Sequence, residues 1–255
     1  MQKKISKIAS FFFIVMLIGC NFFTASEKDL IKINGTYYYK NTKKPFSGIT
    51  QDFDSTNGNI YSEFHYLNGK RDGLSRVWWD NGQLEFEGYY KNGLKEGVFK
   101  GWYRNGKMAA IRMYKNGLED GEWKIWHENG NLKEEGYNKN GQKDSLWKWY
   151  YENGNKWIEA YFKNGLENGK WTAWHPNGKI RELINYQNGK KDGIWQEWND
   201  KGQLVSKGLY ILGKENGNWY YFYDNGKLKT EKLFEKGISI FEQNYDSLGK
   251  LIINP

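Results

Sequence analysis

A regular series of turns constrains this chain more than any other feature. From Gly58 to Gly237 the turn glycines are separated alternately by 11 and 13 residues, which gives a true period of 24 residues. Most of these glycines follow Asn. Asn-Gly is the strongest short-range signal for a type I′ hairpin turn, in which both central residues need a positive φ. Two turns per period mean two strands per unit, so the spacing predicts one hairpin in every 24 residues.

A second marker gives the register of the units. Eight of them open at a small residue: Gly48, Gly73, Gly97, Gly121, Ser145, Gly169, Gly193 and Gly217. Aromatic residues stand two and five places after most of these openings, and ten of the 13 Trp fall in these two columns. In a regular strand the two columns point to opposite faces, unless a bulge restores a single face. The sequence leaves both arrangements open.

Composition agrees with a β protein. An aromatic content of 18%, with Gly 30 against Pro 3, excludes collagen-like, coiled-coil and ordinary disordered chains. One hairpin alone is marginal, so each unit needs its neighbours to complete a core. We therefore expect an all-β fold, an elongated antiparallel β-meander of about eight 24-residue hairpin repeats. The repeat units occupy about 46–235 and a C-terminal cap 236–255, both within a β domain at 34–255.

The N-terminus has the pattern of an export signal. Three Lys and no acidic residue precede an apolar run from Ile8 to Ile18, which is shorter than the roughly 20 residues that span a bilayer. The run ends in Leu-Ile-Gly-Cys, which resembles the lipobox of bacterial lipoproteins, and Cys20 is the only cysteine. The resemblance implies a signal peptide at 1–19, an acylated Cys20 that begins a tether at 20–33, and a lipid anchor in the bacterial cell envelope, on its periplasmic or surface side.

The repeat itself resembles a known family. The unit from Asp120 to Tyr137 reads DGEWKIWHENGNLKEEGY and closely resembles the variant MORN repeat of bacterial proteins. The resemblance implies a meander of hairpins, a binding or scaffolding role and no catalytic residues. Many such proteins are labelled as YwqK-family antitoxins, which implies an immunity role. Ser145 departs from the pattern at an opening position, and Asn138 and Lys156 depart from it in apolar columns.

The residues that usually carry chemistry are sparse. His127 and His175 share a repeat position two units apart, roughly 19 Å in a meander, so they cannot share a metal. Recurring carboxylates, such as the pair Asp192 and Glu197, fit a solvated face better than an acid/base pair. No Walker-type phosphate loop or nucleophile elbow is present. We expect no enzyme activity, no cofactor and no metal.

Two functional classes remain. The chain has a formal charge of +8, but its basic and acidic residues alternate and do not form blocks of one sign. This distribution argues against a nucleic-acid partner. We expect a scaffold that binds a protein and is attached to the membrane through Cys20. The alternative is a module that binds an envelope glycan or a choline-type ligand through exposed aromatics. The candidate for that role is a column of mixed polarity, here called the ladder column: Trp79, Tyr103, His127, Tyr151, His175 and Tyr223.

Overall fold

The structure is a computed structural model that describes residues 24–253. The predictions of a signal peptide at 1–19 and of acylation at Cys20 lie outside the described residues.

The described chain consists of strands and turns, with one 3₁₀ helix at Glu27–Asp29. The strands of the first half are β1 (Thr24–Ala25), β2 (Leu30–Ile33), β3 (Thr36–Tyr39), β4 (Gly48–Phe53), β5 (Ile60–Leu67), β6 (Lys70–Trp78), β7 (Leu84–Lys91), β8 (Leu94–Trp102), β9 (Met108–Lys115), β10 (Leu118–Trp126) and β11 (Leu132–Lys139). Those of the second half are β12 (Gln142–Tyr150), β13 (Lys156–Lys163), β14 (Leu166–Trp174), β15 (Ile180–Gln187), β16 (Lys190–Lys191), β17 (Gly193–Trp198), β18 (Leu204–Ile211), β19 (Lys214–Phe222), β20 (Leu228–Glu235), β21 (Ile238–Tyr245) and β22 (Leu251–Ile252).

The strands form one long meander. From β5 to β22 each strand pairs antiparallel with its predecessor in the chain, except that β17 pairs with β15, which β16 also contacts. At the N-terminal edge β1 adds to β4 in parallel, which completes a sheet of 20 strands. The predicted all-β meander of hairpin repeats is confirmed.

Both faces of the sheet carry aromatic residues. In the repeat that opens at Ser145, Trp149 pairs with Ile158 but Tyr150 pairs with Lys156, so the extra residue of the bulge, Trp157, belongs to the return strand. The forward strand β12 is regular from Trp147 to Tyr150, so these two side chains point to opposite faces. We call the face that carries Trp147 the core face and the face that carries Tyr150 the outer face.

The two turns of each repeat differ. One is the predicted type I′ turn, in which both residues have positive φ, as at Asn92 (52°) and Gly93 (84°). In the other turn only the glycine has positive φ, as at Gly82, so the type I′ prediction is wrong there. In that turn the Asn81 side chain accepts a hydrogen bond from the backbone N–H of Gln83. An Asx turn of this kind favours Asn for its side chain rather than for its tolerance of positive φ.

The N-terminal edge of the sheet is covered. The hairpin β2–β3 packs over it, and Leu30, Phe46, Phe64 and Tyr66 form a buried cluster there. Residues 24–33, which the sequence assigns to the tether, therefore contain β1, the 3₁₀ helix and β2, and they contribute Leu30 to this cluster.

Candidate binding surfaces

The residues of the ladder column join their own repeat to the segment that follows it. Its polar side-chain atoms bond to backbone carbonyls 22 or 23 residues further on, and His127 and His175 do so through Nε2. The bonds are Trp79 Nε1 to Trp102 O (3.1 Å), Tyr103 OH to Trp126 O (2.5 Å), His127 Nε2 to Tyr150 O (3.1 Å), Tyr151 OH to Trp174 O (2.9 Å), His175 Nε2 to Trp198 O (2.8 Å) and Tyr223 OH to Tyr245 O (2.8 Å). All six side chains are half-buried, and their polar atoms contribute to the cohesion of the sheet.

The opposite edge is joined by acidic side chains. In the type I′ turn after β11, Gly141 N–H donates to the Glu119 carbonyl (2.7 Å) and Asn140 N–H donates to Asp120 Oδ2 (3.2 Å). Asp192 accepts in the same way from Leu212 N–H, at 3.0 Å. These carboxylates therefore accept hydrogen bonds from backbone N–H groups in the turns of the next repeat.

The three sequence departures have local explanations. Ser145 takes the left-handed φ of the glycine that it replaces (60°), and its N–H donates to Asp144 Oδ1. Asn138 is buried and donates to Glu119 Oε2 at 3.2 Å. Lys156 turns outward and pairs with Glu159 at 2.8 Å.

One row of exposed side chains crosses the outer face. We call it the tyrosine row; its members and exposed fractions are Tyr89 (46%), Met113 (37%), Tyr137 (45%) and Tyr161 (44%). They occupy the same position on successive return strands, so neighbours stand about 10 Å apart. Part of the row rests against the opening glycines, since a Cβ at Gly121 would lie 2.7 Å from the Cβ of Met113.

Charged pairs surround the tyrosine row. Arg76 Nε bonds to Glu87 at 2.9 Å, and Lys148 Nζ lies 3.3 Å from Glu135. Tyr150 OH also donates to Glu135 at 2.8 Å. Partial burial works against ionisation of Glu135, but the hydrogen bonds from Tyr150 and Lys148 outweigh it and lower the pKa of this carboxyl. Burial and the same bond raise the pKa of Tyr150.

A second surface lies on the core face, where the sequence analysis did not place a site. Trp149 and Trp157 wall two adjoining depressions of about 440 and 270 Å³. Apart from Trp79 of the ladder column, these are the two Trp that lie outside the repeat columns. Their departure from the repeat pattern is the sequence signal from which this surface could have been predicted.

Among residues 24–253 no group of three or more His, Cys, Asp or Glu is arranged to hold a metal ion. The same range contains no helix that is long and apolar enough to cross a membrane.

The fold and its joined edges define a repeat protein built as a single β-meander. The family model described as the MORN repeat variant matches seven segments that together make up more than half of the chain: 71–92, 95–116, 119–142, 143–164, 167–188, 191–211 and 215–236. The chain therefore belongs to the MORN repeat variant family.

No curated protein matches the chain. Among solved structures, a chain in the crystal structure of TcdB2-TccC3-Cdc42 is similar over 82% of this chain and 13% of its own length, with 10% identity and a TM-score of 0.22. A chain of the mutant Tc holotoxin pore of Photorhabdus luminescens is similar over 85% of this chain and 14% of its own, with 14% identity and a TM-score of 0.23. This chain thus spans only a small part of either structure.

Proposed function

We propose that this protein is a non-enzymatic scaffold of the bacterial cell envelope that binds a protein partner through the tyrosine row. The observation that carries the proposal is the row itself, in which four exposed side chains of one column stand on consecutive hairpins. The sheet does not need these side chains for its core, because they lie on the face opposite the Trp147 column.

The chemistry of the row favours a protein over a small ligand. Tyr and Met are enriched at protein interfaces, and Tyr combines a large apolar area with a polar tip. Salt bridges such as Arg76–Glu87 and Lys148–Glu135 border the row, so the surface carries both signs of charge. Four contacts at equal spacing suit an extended partner that engages several repeats, because each additional contact is then intramolecular.

An immunity role is the finer form of this proposal. It is supported by the family resemblance, since many variant MORN proteins are labelled as antitoxins. A long surface of repeated contacts fits the task of holding a toxin without chemistry. In this form the partner is a toxin that encounters the envelope.

Attachment to the envelope is proposed to come from acylation of Cys20. Two or three acyl chains hold a protein on a membrane stably, because each buried methylene adds roughly 0.8 kcal/mol. We expect the Cys20→Ser protein to move from the membrane pellet to the soluble fraction. Continued pelleting of this variant would contradict the lipobox interpretation and leave the partner proposal standing.

The partner proposal is tested by site-specific photocrosslinking in cells. A benzophenone amino acid at Tyr137 should give a discrete crosslinked band, while the same group at Leu248, which is even more exposed but far from the row, should not. In the Tyr137 crosslinker background, replacement of Tyr89 and Tyr161 by Ser should remove the band, and replacement of the exposed Ile211 and Ile238 should leave it. The proposal would be contradicted if the band survived the loss of Tyr89 and Tyr161. It would also be contradicted if Tyr137 gave no band in cells that make the folded protein.

The alternative of glycan or choline binding through the ladder column gains no support from its geometry, because the polar atoms of that column bond to the next repeat.

A further inference from the structure

The repeat that opens at Ser145 carries two tryptophans that the repeat pattern does not require. The position of Trp149 holds Ile125 in the preceding repeat and Ala173 in the following one. The position of Trp157 holds Lys133 and Arg181 in the same two neighbours. Both tryptophans lie in one hairpin and wall the same pair of depressions, here called the Trp149–Trp157 groove.

Trp149 is a fixed wall of this groove. Its Nε1 donates to Glu134 Oε2 at 2.9 Å, while the other oxygen of Glu134 accepts from Trp123 Nε1 at 2.7 Å. The indole also stacks on Trp147, with ring centroids 5.8 Å apart. Lys143 Nζ lies 4.4 Å from its centroid. A ring held on several sides keeps its orientation before a ligand arrives, which lowers the entropic cost of binding.

Trp157 is the accessible wall. It is the extra residue of the bulge opposite Tyr150, and bulges commonly redirect a side chain next to a binding site. Its side chain is 40% exposed, and its ring leans on Tyr151 with centroids 5.8 Å apart and planes at 37°. An indole face is therefore open to solvent beside a second aromatic ring.

The charges of the groove are balanced. The larger depression is lined by Lys143 and Glu167 together with Phe162 and Trp171, and the smaller by Lys133 and Glu152. The larger depression thus offers a cationic donor and an anionic acceptor beside aromatic walls, whereas the smaller one exposes almost only apolar atoms. In the larger depression a quaternary ammonium would meet a lysine, and a phosphate would meet a glutamate. A neutral ligand rich in hydroxyl groups can use both kinds of partner.

We propose that the Trp149–Trp157 groove binds a neutral oligosaccharide, with one pyranose ring stacked on the exposed indole of Trp157. The apolar C–H face of a pyranose matches an indole face, and its equatorial hydroxyls reach the charged side chains at the rim. This site goes beyond the protein-binding role and does not use the tyrosine row. It borrows only the ring faces of His127 and Tyr151 from the ladder column, whose polar atoms stay bonded to the next repeat.

The experiment is a titration of the folded protein with chitotetraose, cellotetraose and maltotetraose, followed by calorimetry and by tryptophan fluorescence. Trp157→Ala is the test variant. Tyr161→Ala is the matched control, because it removes an equally exposed aromatic ring from the same strand on the outer face. At least one tetrasaccharide should bind the unaltered protein and Tyr161→Ala with affinities within about twofold, and bind Trp157→Ala at least about tenfold more weakly.

Three results would overturn the proposal: no binding of any of the three sugars up to about 10 mM, equal binding by Trp157→Ala, or preferential binding of choline chloride that depends on Trp157. Circular dichroism of each variant establishes that the sheet is intact. Because the crosslinking experiment at Tyr137 concerns the opposite face, failure of one proposal is distinguishable from failure of the other.

Discussion

Gly136 lies directly against the indole of Trp147, so close that a Cβ at Gly136 would stand 2.2 Å from the ring. The same relationship joins Gly208 to Trp219 and Gly88 to Phe99. Each of these rings is buried, with Trp147 only 1% exposed. At these three positions a large ring becomes buried by lying over a glycine of the neighbouring strand. Size complementarity between adjacent repeats therefore builds the core.

Gly136→Ala should destabilise the protein by about 1–3 kcal/mol, because the new methyl group cannot fit without moving the Trp147 ring or the backbone. The measurement is urea unfolding followed by tryptophan fluorescence. Gly101→Ala is the control, since a Cβ there would stand at an ordinary distance of 3.7 Å from its nearest neighbour. Equal losses in the two variants would contradict the packing account.

Trp147→Ala should cost about 3–5 kcal/mol, the range for removal of a fully buried aromatic ring. Trp157→Ala, which removes a more exposed ring from the same hairpin, should cost less than about 1 kcal/mol. Denaturant midpoints of the two variants, measured side by side, test the assignment. A larger loss from Trp157→Ala would show that the burial of the two rings is wrongly assigned.

Leu212→Asn should stabilise the protein by about 1 kcal/mol. Leu212 occupies the first position of a type I′ turn with φ of 50°, where Asn stands in most other repeats and where a bulky side chain is disfavoured. Leu118→Asn is the control, because Leu118 is also exposed but begins a strand and has no positive φ. Thermal unfolding should show a higher midpoint for the first variant alone; a lower midpoint for Leu212→Asn would exclude strain at this turn.

The stabilising effect of Glu135 should depend on pH. Its pKa is lowered in the folded state, so its contribution is present above the ordinary value of 4.5 and is lost as pH falls through the folded value. The unfolding free energies of the unaltered protein and of Glu135→Gln should therefore differ most near neutral pH and converge as pH falls below the lowered pKa of Glu135. A difference that stays constant across this range would mean that ionisation of Glu135 does not contribute.

Much of the architecture follows from turn chemistry and spacing. The Asn-Gly series predicts the hairpins, their period and the type I′ turn at residues such as Asn92, because few residues tolerate two consecutive positive φ values. The aromatic columns predict where strands stack. These features depend on local geometry, which the sequence records directly.

Other features depend on relations between strands. The bulge opposite Tyr150 lies in the return strand β13, whereas the two aromatic columns lie on the forward strand β12. With the bulge on the return strand, the two columns stay on opposite faces. The ladder column looked like a ligand platform because its residues are polar and aromatic, yet their polar atoms reach carbonyls of the next repeat. Gly136 could have been recognised beforehand, since a glycine inside a strand often marks a close approach.

The central claim is that each repeat adds the same step to a single sheet, and distances between repeats test it most directly. Nitroxide labels can be placed at the equivalent, exposed positions Lys91, Lys139 and Lys163 in a Cys20→Ser background. Pulsed electron paramagnetic resonance should give about 19 Å between the backbones at 91 and 139 and about 29 Å between those at 91 and 163, after allowance for the label arms. A 91-to-163 distance equal to or shorter than the 91-to-139 distance would contradict a continuous meander.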